Sequence, residues 1–377
     1  MTRHWTINGR FLAQPITGVQ RYAYEVVCAL DRLLAEDPAK ARDLEIELLL
    51  PPDAAIPVGL TAIRPRTVGR LSGQAWEQAV LPRLTPDGLI SLCNTGPLSH
   101  RKQILCIHDV NTRVFPQSYS LPFRAFYRLL QPALGRRVHA VSTVSHHSKE
   151  ELVRAGICPP EKLFVAPNGH EHATRWRAMH SPATRKAAGP NTIVVIGSTV
   201  PHKNTGLIID MAERLAGVGL RVAVVGGGDR RVFRDAGRGT EADNVDWLGR
   251  LSDSELAALL HDCMCLAFPS FAEGFGLPPL EAMAMGCPVV VSGRTSLPEI
   301  CGDAALYAPP DSADHWFERF VQLHGSPKLR LEMIARGRAR TMRFRWHETA
   351  ERYLQAMAAA NGVATPRADE RTVVQVA

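Results

Sequence analysis

The chain has 377 residues, 45% of them hydrophobic and 21% charged, a balance that fits two folded domains and excludes a disordered protein. No run of about 18 apolar residues suits a transmembrane helix, and the start from Met1 to Arg10 lacks the apolar core of a secretory signal, so a cytoplasmic protein is expected. The formal net charge is +7, and the first 170 residues carry 20 Lys and Arg against 14 Asp and Glu, an excess that suits an anionic partner.

In chain order, residues 19–35 read as a helix and 45–50 as a strand. Apolar runs at 88–92, 103–107, 140–144 and 163–166 predict further strands. Residues 123–137 read as a helix with basic residues set among apolar ones. The polar stretch 170–191 has no clear periodicity and reads as a linker. Alternation then restarts. Strands are expected at 192–196, 221–225, 265–268 and 288–291, with helices at 204–216, 252–261 and 278–285. A last helix is expected at 346–360, and 361–377 reads as a frayed tail. Alternating strands and helices define an α/β chain. Two such units suggest two Rossmann-like domains with parallel sheets facing across a cleft, with ligands beyond the carboxyl ends of the strands. The eight cysteines include Cys93, Cys106, Cys263, Cys265 and Cys287 in apolar stretches, where buried free thiols are expected. No Cys or His spacing suits a metal, so no metal site is predicted.

The densest chemical signal is the segment PSFAEGFGLPPLEAMAMG at 269–286. A strand ends before it, Gly274 and Gly276 permit close backbone approach to a ligand, and Pro278 or Pro279 fits a first helical turn. Gly286 is a natural helix stop. A helix start beyond a strand end favours an anion. Glu281 is expected in the first turn. A carboxylate accepts through two oxygens, which suits a vicinal diol such as a ribose. Glu273, in the loop, is placed to reach hydroxyls at the other end of the same ligand.

This segment resembles the donor-site motif of retaining glycosyltransferases of family 4, E-G-F-G-L-P-x-x-E-A-M-A-x-G-x-P-V-V. Further blocks resemble the same family in order along the chain. They are Ile16 to Tyr22 with Gly18, Ile107-His108-Asp109-Val110, Thr143 to Lys149, Val195-Ile196-Gly197 with His202-Lys203-Asn204, Leu248-Gly249 before Ser252 to Leu256, and Pro298-Glu299-Ile300. The resemblance implies a GT-B architecture. Residues 1–170, joined by the helix at 346–360, would form the acceptor domain, and 190–345 the nucleotide-sugar domain.

By the same resemblance Glu273, His108 and Lys203 are the catalytic candidates. Glu281 would hold the ribose, Glu273 the transferred sugar, and Lys203 the diphosphate. Gly18, Gly197, Ser198, Phe275, Gly276, Leu277 and Leu248 would line the donor. Ser198 and Thr199 stand where many relatives have an arginine beside Gly197. Asp109 and Arg21 would orient the loop or meet the acceptor, Arg21 being also a phosphate candidate. Gly226-Gly227-Gly228-Asp229 resembles a turn near the nucleotide. No cofactor is expected beyond a nucleoside-diphosphate sugar as co-substrate.

The implied activity is metal-independent, retaining transfer of a hexose to a glycan or polyprenyl-diphosphate-linked acceptor in bacterial polysaccharide synthesis, with mannose from GDP-mannose favoured. The basic, aromatic stretch 120–137 suits peripheral contact with an anionic membrane face. Nucleic acid is not expected as a partner. A non-catalytic partner subunit of the same fold and a nucleotide-sugar epimerase remain alternatives. A nicotinamide oxidoreductase is disfavoured, because no G-x-G-x-x-G follows a first strand.

Overall fold

The computed structural model describes residues 2–197, 200–226 and 242–363. The first sheet holds seven parallel strands: β1 (Arg3–Asn8), β2 (Leu44–Leu50), β3 (Arg64–Thr67), β4 (Gly88–Ser91), β5 (Gln103–Cys106), β6 (Ala140–Thr143) and β7 (Leu163–Val165). Their spatial order is β3-β2-β1-β4-β5-β6-β7. The second sheet holds β8 (Thr192–Ile196), β9 (Arg221–Val225), β10 (Val245–Gly249), β11 (Cys265–Phe268), β12 (Val289–Ser292) and β13 (Ala305–Ala308), in the order β10-β9-β8-β11-β12-β13, again all parallel. Each sheet therefore reverses its winding once, between β1 and β4 in the first and between β8 and β11 in the second. Ligands of open α/β sheets bind in the crevice at such a switch.

Parallel sheets need both faces covered, so most of their inner strands are rich in apolar residues. β12 and β4 are buried along their whole length. Helix α1 (Gly18–Glu36) covers the first sheet with Tyr22, Ala23, Val26, Val27, Leu30, Leu33 and Leu34, an apolar stripe at helical spacing. Its start is fixed by the Gln20 side chain, which accepts from the Thr17 N–H at 3.3 Å. The last helix, α9 (Trp346–Ala360), lies after the second sheet in sequence yet packs against α1. The Tyr353 hydroxyl stands 3.0 Å from that of Tyr22 and 2.7 Å from Ser142 Oγ. One continuous apolar cluster runs from Trp5 and Ile7 of the first domain through Trp346 and Tyr353 to Leu266 and Phe268 of the second.

The strands 192–196, 221–225 and 265–268 form as the sequence predicts, while β1, β3, β10 and β13 are additions. The helix expected at 204–216 is broken at Met211 into Gly206–Asp210 and Ala212–Ala216. The stretch 170–191 is not featureless, since it holds short helices at Glu171–Thr174 and Pro182–Ala187. Of the tail, only 361–363 lies within the described residues.

Trp5, 1% exposed, lies opposite Gly88 in the β1–β4 register. A Cβ added at Gly88 would run into the Trp5 indole. Gly88→Ala is therefore expected to destabilise the first domain by about 1–3 kcal/mol through overpacking, read as a lowered midpoint in thermal or urea unfolding. An unchanged midpoint would mean that the indole moves aside freely.

Candidate active site

The switch point of the second sheet gathers most of the residues singled out in the sequence. Gly197 follows β8 at a position where a Cβ would stand 2.6 Å from Thr205 Cγ2, so a larger residue there would have to push Thr205 aside. Lys203 sits on the next turn, Pro201–Lys203. Asn204, in the left-handed region at φ 53°, donates through Nδ2 to the Pro269 and Pro310 carbonyls at 3.1 and 2.6 Å. The turn carrying Lys203 is thereby fastened to the loop after β11. Lys203 Nζ then reaches both carboxylate oxygens of Glu273, at 2.8 and 2.9 Å, and lies 5.5 Å from the centre of the Phe268 ring. The Glu273 loop is held from behind. Its N–H donates to Thr295 Oγ1 at 3.0 Å, and Ser296 Oγ donates to the Glu273 and Phe275 carbonyls.

Helix α6 (Leu277–Ala284) starts from Gly276, whose φ of 102° places it in the left-handed region that glycine favours. Leu277 is its first residue. Glu281 is therefore the fifth and stands in the second turn, not the first as the sequence suggested. Two successive prolines after Leu277 obscured the true start. Glu281 is 7% exposed, and its Oε1 lies 2.8 Å from His172 Nε2. The Phe275 side chain is buried edge-on against Phe344, leaving its backbone as the part that borders the loop.

The loop also docks on the first domain. The Gly274 carbonyl accepts from Ser145 Oγ at 2.6 Å and from Ser148 Oγ at 3.0 Å. A Cβ on Gly274 would stand 2.7 Å from the His108 carbonyl oxygen and 3.0 Å from Asp109 Cβ. Nearby, the Glu299 carboxylate accepts from the N–H groups of His146 and His147, at 2.9 and 3.0 Å. It caps helix α4 (His146–Arg154) from across the cleft, where the helix dipole favours an anion. The turn Pro116–Ser118 meets the Lys203 turn, with His202 Nδ1 3.0 Å from Ser118 Oγ and the Phe115 and Phe271 rings stacked at 5.9 Å.

Other predicted residues fall as follows. His108 turns its ring inward, with Nε2 2.9 Å from the Leu92 carbonyl oxygen and the ring edge-on to Tyr22. It borders the loop through its backbone. Arg21 is committed elsewhere, in a two-pronged pair with Asp253 at 2.6 and 2.7 Å. A first-domain arginine thus ties down the helix Asp253–Asp262 of the second domain, which removes it as a phosphate ligand in this arrangement. Gly18 opens α1 with no atom within 4 Å of where a Cβ would point. Leu248 lies on the edge strand β10, part-buried. Ser198 and 227–229 lie outside the described residues.

Asp109 and Glu273 line a cavity of about 120 Å³ with Asn111, His147, Glu151 and Thr295. Burial raises the Asp109 carboxyl pKa, and neighbouring Glu273 adds to this; the Asn111 N–H, His108 and Lys203 oppose it less strongly. The folded state therefore holds this proton to higher pH than the unfolded chain, and stability falls as pH rises through the raised value. Asp109→Asn cannot ionise. It is expected to melt higher than wild type at pH 8, with the difference vanishing near about pH 4, as read by thermal unfolding across pH. A lower midpoint for the variant at pH 8 would contradict this.

A polar cluster at the first sheet's switch point escaped the sequence reading. Arg10, just past β1, donates from Nε to Glu77 Oε2 at 2.8 Å and from Nη2 to Thr95 Oγ1 at 2.7 Å. Asn8 Nδ2 also donates to Glu77, at 2.8 Å. Arg10 and Glu77 are both buried. No local motif marks them, because 67 residues separate the pair. Part-buried Tyr119, whose hydroxyl is held well above its ordinary pKa by burial and then by the Asp109 and Glu273 charges, adds a further group missed in the sequence.

Two parallel Rossmann-like sheets, with these loops meeting between their carboxyl ends, form the GT-B architecture. Residues 177–340 match the family model for glycosyl transferases group 1. O-antigen chain mannosyltransferase B of Escherichia coli is 28% identical over 274 residues, 69% of this chain and 71% of its own length. O-antigen chain mannosyltransferase RfbU of Salmonella typhimurium is 28% identical over 221 residues, 57% of this chain and 59% of its own. Among solved structures, the sucrose-phosphate synthase of Thermosynechococcus elongatus superposes with a TM-score of 0.71 at 15% identity, covering 96% of this chain and 100% of its own. At that identity the likeness is one of fold.

Proposed function

We propose that this chain is a retaining, metal-independent mannosyltransferase, moving mannose from GDP-mannose to a glycan or polyprenyl-diphosphate-linked acceptor in bacterial polysaccharide assembly. The observation that carries the proposal is the Lys203–Glu273 pair between Gly197 and the start of α6. Without a donor, the two charges satisfy each other. A diphosphate seated over the Gly197 turn and the α6 start competes with Glu273 for the ammonium group. Glu273, released, accepts hydrogen bonds from sugar hydroxyls, while Glu281 takes the ribose diol. In the transfer step the bond from sugar C1 to the β-phosphate oxygen breaks, and the acceptor oxygen bonds to C1 on the same face. The acceptor proton passes to the departing phosphate oxygen. Lys203 stabilises the negative charge that grows on the leaving diphosphate. The nucleotide sugar is a co-substrate, and no cofactor is assigned.

Mannose is favoured because both relatives described above are named mannosyltransferases. The acceptor is assigned to the first-domain switch point. There Arg10 is neutralised by Glu77, so the cluster offers donors and acceptors without net charge, which suits saccharide hydroxyls.

With purified GDP-mannose and a polyprenyl-diphosphate-linked saccharide, wild type is expected to give an α-linked product. Lys203→Gln and Glu273→Ala are each expected to lower kcat about 100-fold with the thermal midpoint little changed. Wild-type rates in the Glu273 variant would overturn the site. An epimerised sugar nucleotide, formed without acceptor, would overturn the reaction class.

Among the described residues, no helix is long and apolar enough to cross a membrane. Helix α3 (Leu121–Arg137) nonetheless exposes Leu121 and Leu129, at 73% and 75%, beside Phe123 and Phe126, with Arg124 and Arg128 on the same helix. Such a face suits peripheral contact with the cytoplasmic leaflet, where a lipid-linked acceptor is presented. Flotation with anionic vesicles is expected at low salt and to weaken at high salt. Leu121→Glu with Leu129→Glu should abolish it, and no flotation of wild type at low salt would refute the contact.

A further inference from the structure

His172 belongs to no motif and sits in the stretch that the sequence left as a linker. Its ring is 1% exposed and lies between Trp176 and Trp346, with ring centroids at 5.5 and 5.7 Å. Two hydrogen bonds define its state. The Trp346 indole Nε1–H lies 3.1 Å from His172 Nδ1. Indole nitrogen is a donor only, so Nδ1 accepts and carries no proton. The ring proton then resides on Nε2, which donates to Glu281 Oε1 at 2.8 Å. The tautomer is thus assigned from the bonding network.

The consequence falls on Glu281. One carboxyl oxygen accepts from the imidazole, so the orientation of the group is fixed and its second oxygen is left for a ligand. The ring itself cannot turn, because Trp346 holds its far side. Trp346 is anchored in turn by its backbone N–H, which donates to the Glu171 carboxylate at 3.1 Å. Trp346 opens α9, the helix that returns to the first domain.

We infer that His172 is a positioning residue for donor binding: with Trp346 it locks the Glu281 carboxylate in the orientation that receives the vicinal diol of a nucleoside diphosphate. The inference rests on the donor-site assignment above. Its action runs through Glu281, and it touches neither the phosphates nor the sugar.

Calorimetric titration with GDP and with 2′,3′-dideoxy-GDP tests the inference. In wild type the dideoxy compound should bind more weakly, since it lacks the diol. His172→Phe keeps an aromatic ring between the tryptophans but loses the N–H. It should weaken GDP about ten-fold, as losses of supporting contacts do, and leave 2′,3′-dideoxy-GDP unchanged. The unchanged analogue also reports that the variant is folded. His172→Gln, whose amide N–H can reach the Nε2 position, should recover most of the GDP affinity. In steady-state transfer, His172→Phe should raise KM for GDP-mannose with kcat at saturation preserved, the mark of lost uniform binding. Equal weakening of both nucleotides would make His172 a structural residue and overturn the inference alone, as would an unaltered GDP affinity. Failure of the wild-type protein to bind either GDP or UDP would overturn the donor-site assignment itself.

Discussion

The docking of the Gly274 carbonyl on Ser145 and Ser148 is the contact around which the cleft is arranged. It joins the loop after β11 in one domain to the loop after β6 in the other. The approach is close because residue 274 has no side chain, and the space a Cβ would need is taken by the His108 carbonyl and Asp109. Glu299 reinforces the same contact by closing the open N-terminus of α4. Both devices satisfy backbone polar groups, which must find partners somewhere. Here they find them in the opposite domain, so domain position and local hydrogen bonding are settled together.

Charge within the cleft is balanced at short range. Lys203 stands between the Gly197 turn and Glu273, with Asp109 close enough for its carboxyl to be affected by both. The pair is only partly desolvated on the lysine side, with 25% of that side chain exposed against 10% for Glu273. The ammonium group is therefore the more solvent-open member of the pair. Arg10 and Glu77 repeat the pattern at the first sheet's switch point, as a buried cation compensated by one carboxylate. Each of these two ion pairs sums to zero charge, which limits the desolvation cost of keeping its members there.

Legibility in the sequence followed burial. β8, β9 and β11 read as apolar runs because both faces of each are covered. β1 did not, although it is central, because its RHWTIN sequence mixes Trp5 and Ile7 with Thr6 and Asn8. Those polar residues are buried as well, and Asn8 is satisfied by Glu77 and Ser91 from elsewhere in the chain. β3, with no fully buried residue, gave no hydrophobic signal at all. In the site, Glu273, Glu281, Gly197 and Lys203 were visible because local spacing carries them. Arg10, Glu77 and His172 were not, because their partners lie 67 to 174 residues away.

By itself the sequence determined the α/β class, the two-domain alternation and the loop-then-helix segment from Pro269 to Gly286. Each of these depends on periodicity or on the conformational demands of Gly and Pro within a short window. Tertiary structure alone decided what each charge does. It turned Arg21 from a free phosphate candidate into a tether to Asp253, and moved Glu281 into the second helical turn. There it placed an imidazole from the supposed linker against the carboxylate. A side chain's role depends on what occupies the few ångströms around its charged end, and for Arg21 and Glu281 those neighbours come from the other domain and from the chain that crosses between the two.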